Sequence, residues 1–534
     1  MTAQSHFDPK QSQVWLVGGG VASMAAAVFL IRDAGMPGAN IHILEELGLG
    51  GGSLDGSQSP TIPGAYVTRG GRMLAGCYDA LWNLLDSIPS LGDPKISVRQ
   101  EIVAFNQQVK TDAHARLVDR NHRIVDASVY GFSRRDRLQM TRLLATPERR
   151  LGARRIDEMF SEHFFSTNFW QMWRTTFAFQ NWHSAIELKR YMLRFIQEFP
   201  RMHTLSGVNR TKYNQYDSIA RPLQRWLLAK GVNVRFGTRV VDADFDQTDP
   251  NDRRVTALQV LTRDGKRSIT LGRDDIAMFT LGSIAADAGF GDNDHAPETI
   301  RDRREGSWAL WSAIAGKAAD FGNPFRFCNV DENKWESFTL TMHGRALLDR
   351  IVKFSGNEPG TGALMTFFQS KWLMSIVVPY QPHFPDMPPD TYTLWGYGLF
   401  LDVDGDYVGK PMSQCTGREI LQELIGQLGF DEARDEILAT TDVTPVMLPY
   451  ASAMFAPRVV EDRPLVLPEG ARNFAFLGQW VELPEDVVYT VEYSVHCAMH
   501  AVYALFGVDK EIPPIYHGLS DPKAGLGVLQ SAYR

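Results

Sequence analysis

Gly18, Gly20 and Ser23 are spaced G-x-G-x-x-S, and Glu45 follows Ser23 by 22 residues. With this spacing a strand-to-helix turn brings backbone N–H groups up to a pyrophosphate, and a carboxylate ending the next strand accepts the hydroxyls of a ribose. Ser23 stands where a third glycine is usual and is small enough for close helix–strand packing. Glu46 competes with Glu45 for the ribose. Two glycine clusters follow: GLGGGSLDG, 48–56, offers Gly51, Gly52 and Ser53, and TRGGRMLAGC, 68–77, offers Arg69, Gly70, Gly71 and Arg72. Their amides would approach phosphate oxygens and Arg72 would neutralise them; a surface loop is the competing reading. The chemistry expected is binding of FAD or a nicotinamide cofactor.

The elements that must hold these residues are legible around them. Val14–Val17 reads as a buried parallel strand, 21 to about 34 as an alanine-rich helix stopped by Gly35 and Pro37, and Ile41–Leu44 as the second strand. AMFTLGSIA, 277–285, is a later strand with a turn at Gly282 and Ser283, and the strand pair around 231–245 precedes it. NFAFLGQWVELPEDVVYTVEYSVHCAMHAVYALFG, 473–507, is a third such piece, with a turn at Gly478 and a long helix. Parallel strands place ligands beyond their carboxyl ends, so all three turns are expected to face one crevice. The fold class expected is α/β: a discontinuous Rossmann-like FAD-binding domain with an interleaved α+β substrate domain and helical segments. The parts are 1–110, 216–300 and 451–507 for the nucleotide domain, 111–215 for a helical, partly basic segment, 301–450 for the substrate domain and 508–534 for a tail. Aromatic- and Met-rich stretches at 164–199, 371–384 and 392–400 are core or the wall of a pocket for a long apolar ligand.

At 534 residues the chain supports several subdomains. A net charge of −7 excludes a dedicated nucleic-acid binder. Between Arg134 and Arg155 eight arginines face only Asp136 and Glu148, which points to contact with an anionic membrane surface or to a solvated helix pair. Four scattered cysteines, no signal peptide and no 18-residue apolar run indicate a cytoplasmic protein, peripheral at a membrane at most. His496 and His500 have i, i+4 spacing without a third ligand, so no metal is expected. No serine-nucleophile elbow or Walker loop occurs.

From Val14 to Tyr503 the chain resembles the FAD-dependent oleate hydratases, the myosin-cross-reactive antigen family, through ILEELGLGGGSLDG, TRGGR, LWNLLDSIPSL, FAFQNWHSAIELKRYMLRF, YNQYDSI, TLGSI with GDND, WLMSIVVPYQPHF, WGYGLF and VVYTVEYSV in order. The resemblance implies FAD, an unsaturated fatty acid and water as ligands, hydration of a cis double bond (oleate to 10-hydroxystearate type) without net redox change, and cofactor contact by Val488 and Thr490. It also implies that Tyr191 protonates the alkene. The glutamate that activates water in the family does not map, because Met73 stands at its position and a thioether cannot act as a general base. Val377 and Pro379 replace small polar residues ahead of Q-P-H-F, leaving His383 as the nearest polar substitute or as a structural histidine. The short ends imply a monomer or weak homodimer. A flavin-dependent oxidoreductase or isomerase acting on a lipid, and a non-catalytic fatty acid or flavin binder, are the rival readings.

Overall fold

The computed structural model describes residues 7–54, 56–70 and 73–518; Gly71 and Arg72, expected at the cofactor, lie outside the described residues. Five parallel strands form one sheet: β1 (Val14–Val17), β2 (Ile41–Leu44), β3 (Asn233–Arg235), β4 (Ile276–Thr280) and β5 (Phe474–Leu477), in the spatial order β5-β4-β1-β2-β3. The order reverses between β1 and β4, where loops leaving adjacent strands turn to opposite sides and open a crevice. Helix α1 (Val21–Arg32) buries nine of its twelve residues, because alanines at 22 and 25–27 let it lie close to both the sheet and the last helix. It ends two residues earlier than the sequence suggests. Asp33 is drawn onto Arg32, Tyr503 and Lys510, and Gly35 takes φ +72° as the chain reverses.

A second, seven-stranded sheet is built on Trp335–His343, flanked by Thr391–Gly398 and Thr441–Leu448, both antiparallel to it. Ser375–Val377, Met365–Phe367 and Leu117–Val118 extend one side, the last pair parallel. Gly289–Phe290, expected within the nucleotide segment 216–300, instead closes the other side against Thr441–Leu448. Thr339 and Thr341 hydroxyls accept from the amides of Thr68 (3.0 Å) and Tyr66 (2.9 Å), so the chain leaving the glycine-rich turns is tied to this sheet. A three-stranded antiparallel meander spans 239–270.

Helix α2 (Ala185–Arg194) sits on a buried ionic network. Arg190 meets Glu148 at 2.6 Å and Glu482 at 2.5 Å, Arg458 meets Glu187 at 2.8 Å and Glu482 at 3.1 Å, and Arg463 meets Glu187 at 3.2 Å. Burial alone would raise the Glu187 carboxyl, but the three arginine charges outweigh it and hold it below the usual range. In the arginine-rich stretch, Arg134, Arg135, Arg142, Arg149, Arg150 and Arg154 have no acid within 4.0 Å among the described residues, and Arg155 pairs with Asp157. No helix of the described residues is long and apolar enough to cross a membrane. The four cysteines are free thiols.

Candidate functional site

Two recesses gather most of the residues singled out by the sequence. The first, about 1010 Å³, opens at the carboxyl ends of β1, β2, β4 and β5 and is lined by Gly18–Gly20, Glu45, Glu46, Gly51–Ser53, Gly282, Ser283 and Gly478. Gly18 has φ +90°, Gly51 +109°, Gly52 +60°, Gly282 +59° and Gly478 +94°, backbone that side-chain-bearing residues rarely adopt. The first two turns are joined, with the Gly51 amide donating to Gly19 O at 2.8 Å. Gly19, not singled out by the sequence, packs closely on Glu45: its amide donates to Oε2 at 2.6 Å, and a Cβ there would crowd that oxygen at 2.8 Å. At Gly20 the nearest atom to a Cβ would be Gly52 Cα at 3.8 Å, so there the lack of a side chain leaves room over the backbone amides.

Glu45 also accepts from Leu47 N at 2.8 Å, while Glu46 accepts from Gly306 N at 2.7 Å and lies 3.5 Å from Arg239. Glu46 is thus engaged with the crevice wall. Ser23 lies beneath the turn, fully buried, its hydroxyl 3.2 Å from that of Thr280. Arg69 sits at the rim, donating to Ala285 O (3.0 Å) and Gly52 O (3.5 Å). Glu305, which local spacing did not flag, lines the crevice; burial and then the Asp287 charge push its carboxyl up to about 7.

The second recess, about 970 Å³, draws its lining from distant segments: Thr68, Gly70 and Met73; Thr175, Thr176 and Ala178; Arg210, Thr211, Asn214 and Gln215; Trp335; Val377, Pro379 and His383; Trp395 and Tyr397; and Tyr489 among them. No Asp or Glu lines it among the described residues. Trp335, Trp395 and Tyr397 form one aromatic cluster, with centroids 4.8 and 5.2 Å apart about Tyr397. Both amide atoms of Gln215, Nδ1 of His383 and Nε of Arg210 are buried without a hydrogen-bond partner. Burial and the neighbouring Arg210 charge hold His383 down at about 4, so its imidazole is neutral. Gly70, expected at the cofactor, lines this cavity and not the crevice.

Residues 485–490 run between the two recesses. Glu485 and Tyr489 take φ +68° and +69°, and Asp486 is pinned by His496 at 3.1 Å. Gln479 lines the crevice; its Oε1 accepts from the Tyr489 amide, and its Nε2 donates to Thr490 O (3.0 Å) and Ser494 Oγ (2.7 Å). Val488 and Thr490 do not reach the crevice: Thr490 is spent capping helix α3 (Val491–Phe506), accepting from Tyr493 N, and Ser494, one turn on, lines the crevice instead. Val488 O accepts the Tyr191 hydroxyl at 2.6 Å. Tyr191 lines neither recess. It is 1% exposed among Phe177, Phe179, Phe195 and Phe455, and burial raises its phenol well above the usual value, so it keeps its proton throughout the accessible range.

Residues 11–503 match the MCRA family. The chain is 36% identical over 524 residues to the oleate hydratase of Streptococcus pyogenes serotype M49 (strain NZ131), covering 96% of this chain and 88% of that one. It is likewise 36% identical over 540 residues to the linoleate hydratase of Lactiplantibacillus plantarum, covering 93% and 94%.

Proposed function

Because the chain belongs to the MCRA family, we propose that it adds water across a cis double bond of an unsaturated fatty acid of the oleate or linoleate kind. The observation that carries this reading is 36% identity, over nearly the whole chain, to two fatty acid hydratases; an aromatic cavity with no Asp or Glu among its described lining residues supports it.

The five-stranded sheet is read as the Rossmann-like half of an FAD domain. The crevice residues fit that cofactor: the left-handed glycine turns and the open space at Gly20 allow amides to meet phosphates, and Glu45 lies where a ribose would. In a reaction with no net redox change, bound FAD supplies a structural and electrostatic wall. Tyr191 is proposed as the proton donor from its place in the family motif; because it lines neither recess and donates to Val488 O, reaching the alkene requires its side chain or the 488–489 backbone to move. One carbon takes that proton, the other takes the water oxygen, and the proton released by water returns to the phenolate. Water is held by neutral hydroxyl and amide groups, since Met73 cannot take a proton and no carboxylate lines the cavity among the described residues. His383 is read as a neutral hydrogen-bonding group at the polar end beside Arg210. Arg134, Arg135, Arg142, Arg149, Arg150 and Arg154 are proposed to attract anionic lipid; sedimentation with phosphatidylglycerol vesicles but not phosphatidylcholine ones, abolished by salt, checks this.

Product analysis after incubation with oleate in ¹⁸O-water tests the main reading. The expected result is one ¹⁸O per hydroxylated product under anaerobic conditions with the flavin still oxidised. Flavin bleaching with substrate would instead favour a lipid oxidoreductase, and unchanged oleate a binding protein.

A further inference from the structure

We propose that the Val488–Tyr489 peptide is a two-state switch, reversed by a single rotation, that Gln479 holds in either orientation and that sets whether Tyr191 keeps or gives up its proton. The inference rests on the hydratase reading in that it takes Tyr191 to be the acid. One peptide unit carries both contacts: its carbonyl, Val488 O, accepts the Tyr191 hydroxyl at 2.6 Å, and its N–H, on Tyr489, donates to Gln479 Oε1. In this orientation Tyr191 is a poor acid, because its proton is spent on a carbonyl and burial, followed by the neighbouring Tyr78, Glu187, Tyr489 and Asp486, pushes its phenol well above the usual value. The peptide is also strained, since Tyr489 takes φ +69°, which a side-chain-bearing residue rarely adopts. The chain on either side is fixed: Asp486 Oδ2 lies 3.1 Å from His496 Nδ1, and Thr490 caps helix α3 by accepting from Tyr493 N at 3.1 Å. Rotating a peptide by about half a turn around the line joining its two Cα atoms leaves both flanks in place and carries a positive φ into the negative region open to every residue.

Reversal exchanges the two contacts, so that Tyr489 N–H faces Tyr191 and Val488 O faces Gln479. A primary amide bears both an acceptor and donors, so Gln479 serves the N–H in one state and the carbonyl in the other. Its Nε2, which donates to Thr490 O (3.0 Å) and Ser494 Oγ (2.7 Å), supplies the donor. With Val488 O turned away the phenol O–H is released toward the cavity side, and an N–H aimed at the phenol oxygen favours the phenolate that forms as the proton leaves. The alkene π pair forms the C–H bond as the Tyr191 O–H bond breaks, the water oxygen bonds the other carbon, and the proton that water then loses returns to the phenolate; no electron acceptor is needed. Gln479 and Ser494 line the crevice while Tyr489 lines the cavity, so the switch touches both recesses.

The test is a crystal structure of the FAD-loaded protein with stearate, a saturated ligand that cannot be hydrated. The expected result is a reversed peptide, with φ of Tyr489 negative and its nitrogen within hydrogen-bonding distance of the Tyr191 oxygen; the present orientation with both recesses filled overturns the proposal. Kinetics at saturating FAD give a second measurement. A carboxylate at position 479 accepts the N–H but cannot donate to Val488 O, whereas a thioether favours neither orientation. Gln479→Glu should therefore lower kcat by about 30–100-fold and Gln479→Met by only about three- to tenfold, with KM within about twofold in both. Equal losses overturn the switch, as does the same difference between the two variants in a Tyr191→Phe background, where it should vanish. Oleate hydration is scored separately: a reversed peptide without hydration keeps the switch and retires the hydratase reading, whereas hydration with the peptide unreversed does the opposite.

Discussion

The crevice and the cavity lie on either side of residues 485–490 and are built in opposite ways. The crevice is made mostly of backbone: glycine turns at the ends of four strands present amides, and three carboxylates, Glu45, Glu46 and Glu305, line it. The cavity is made of residues from nine separate stretches, holds an arginine and neutral polar groups, and contains no acid among the described residues. A backbone site recognises a ligand through dipoles fixed by the fold, so its residues cannot be exchanged without changing chain geometry. A side-chain site can be rewritten one residue at a time.

If the contrast holds, damage to one recess should spare the other. Gly20→Val would place a branched side chain over the amides of the crevice. FAD affinity should fall by about three orders of magnitude or more, while laurate binding to the cavity persists; unchanged FAD affinity would sink the crevice assignment. Glu187→Ala would strand buried arginines beneath helix α2 and cost about 3–5 kcal/mol of folding free energy by denaturant melts. Because the folded Glu187 carboxyl lies below its unfolded value, its stabilisation is present above that value and is lost as pH falls. Wild type should therefore lose stability toward acid more steeply than Glu187→Gln.

Tyr191→Phe removes only a hydroxyl bonded to Val488 O, so FAD content should survive while hydration drops by about 10²-fold or more. Wild-type turnover in that variant would retire Tyr191 as the donor. Met73 tests the lack of an acid among the cavity's described lining residues. The wild-type pH–rate profile should carry no acidic limb traceable to an Asp or Glu, and Met73→Glu should introduce one; a wild-type limb removed by mutating a single acid would show a base elsewhere. The smallest effect concerns Glu305. With its carboxyl at about 7, ionisation above that pH puts a like charge in the crevice, so FAD affinity should weaken by about three- to tenfold as pH rises, and Glu305→Gln should flatten the dependence.

What the sequence determined by itself is the crevice. G-x-G-x-x-S, the flanking strands and helix, and Glu45 lie within 32 residues, and hydrogen bonding and glycine geometry act at that range, so local order and chemistry could be read together. Even there the partition of neighbours escaped it: Glu45 turns to Gly19 while Glu46 is engaged by Gly306, Gly70 faces the cavity, and Val488 and Thr490 serve Tyr191 and a helix cap. The cavity was decided by tertiary structure alone. Arg210, Gln215, Trp335 and Tyr489 carry no spacing that marks them, because each is placed by a different strand, loop or turn. An arginine's meaning, too, depends on whether an acid meets it: Arg190 and Arg210 look alike in the chain, and only the fold gives one two glutamates and the other an open wall.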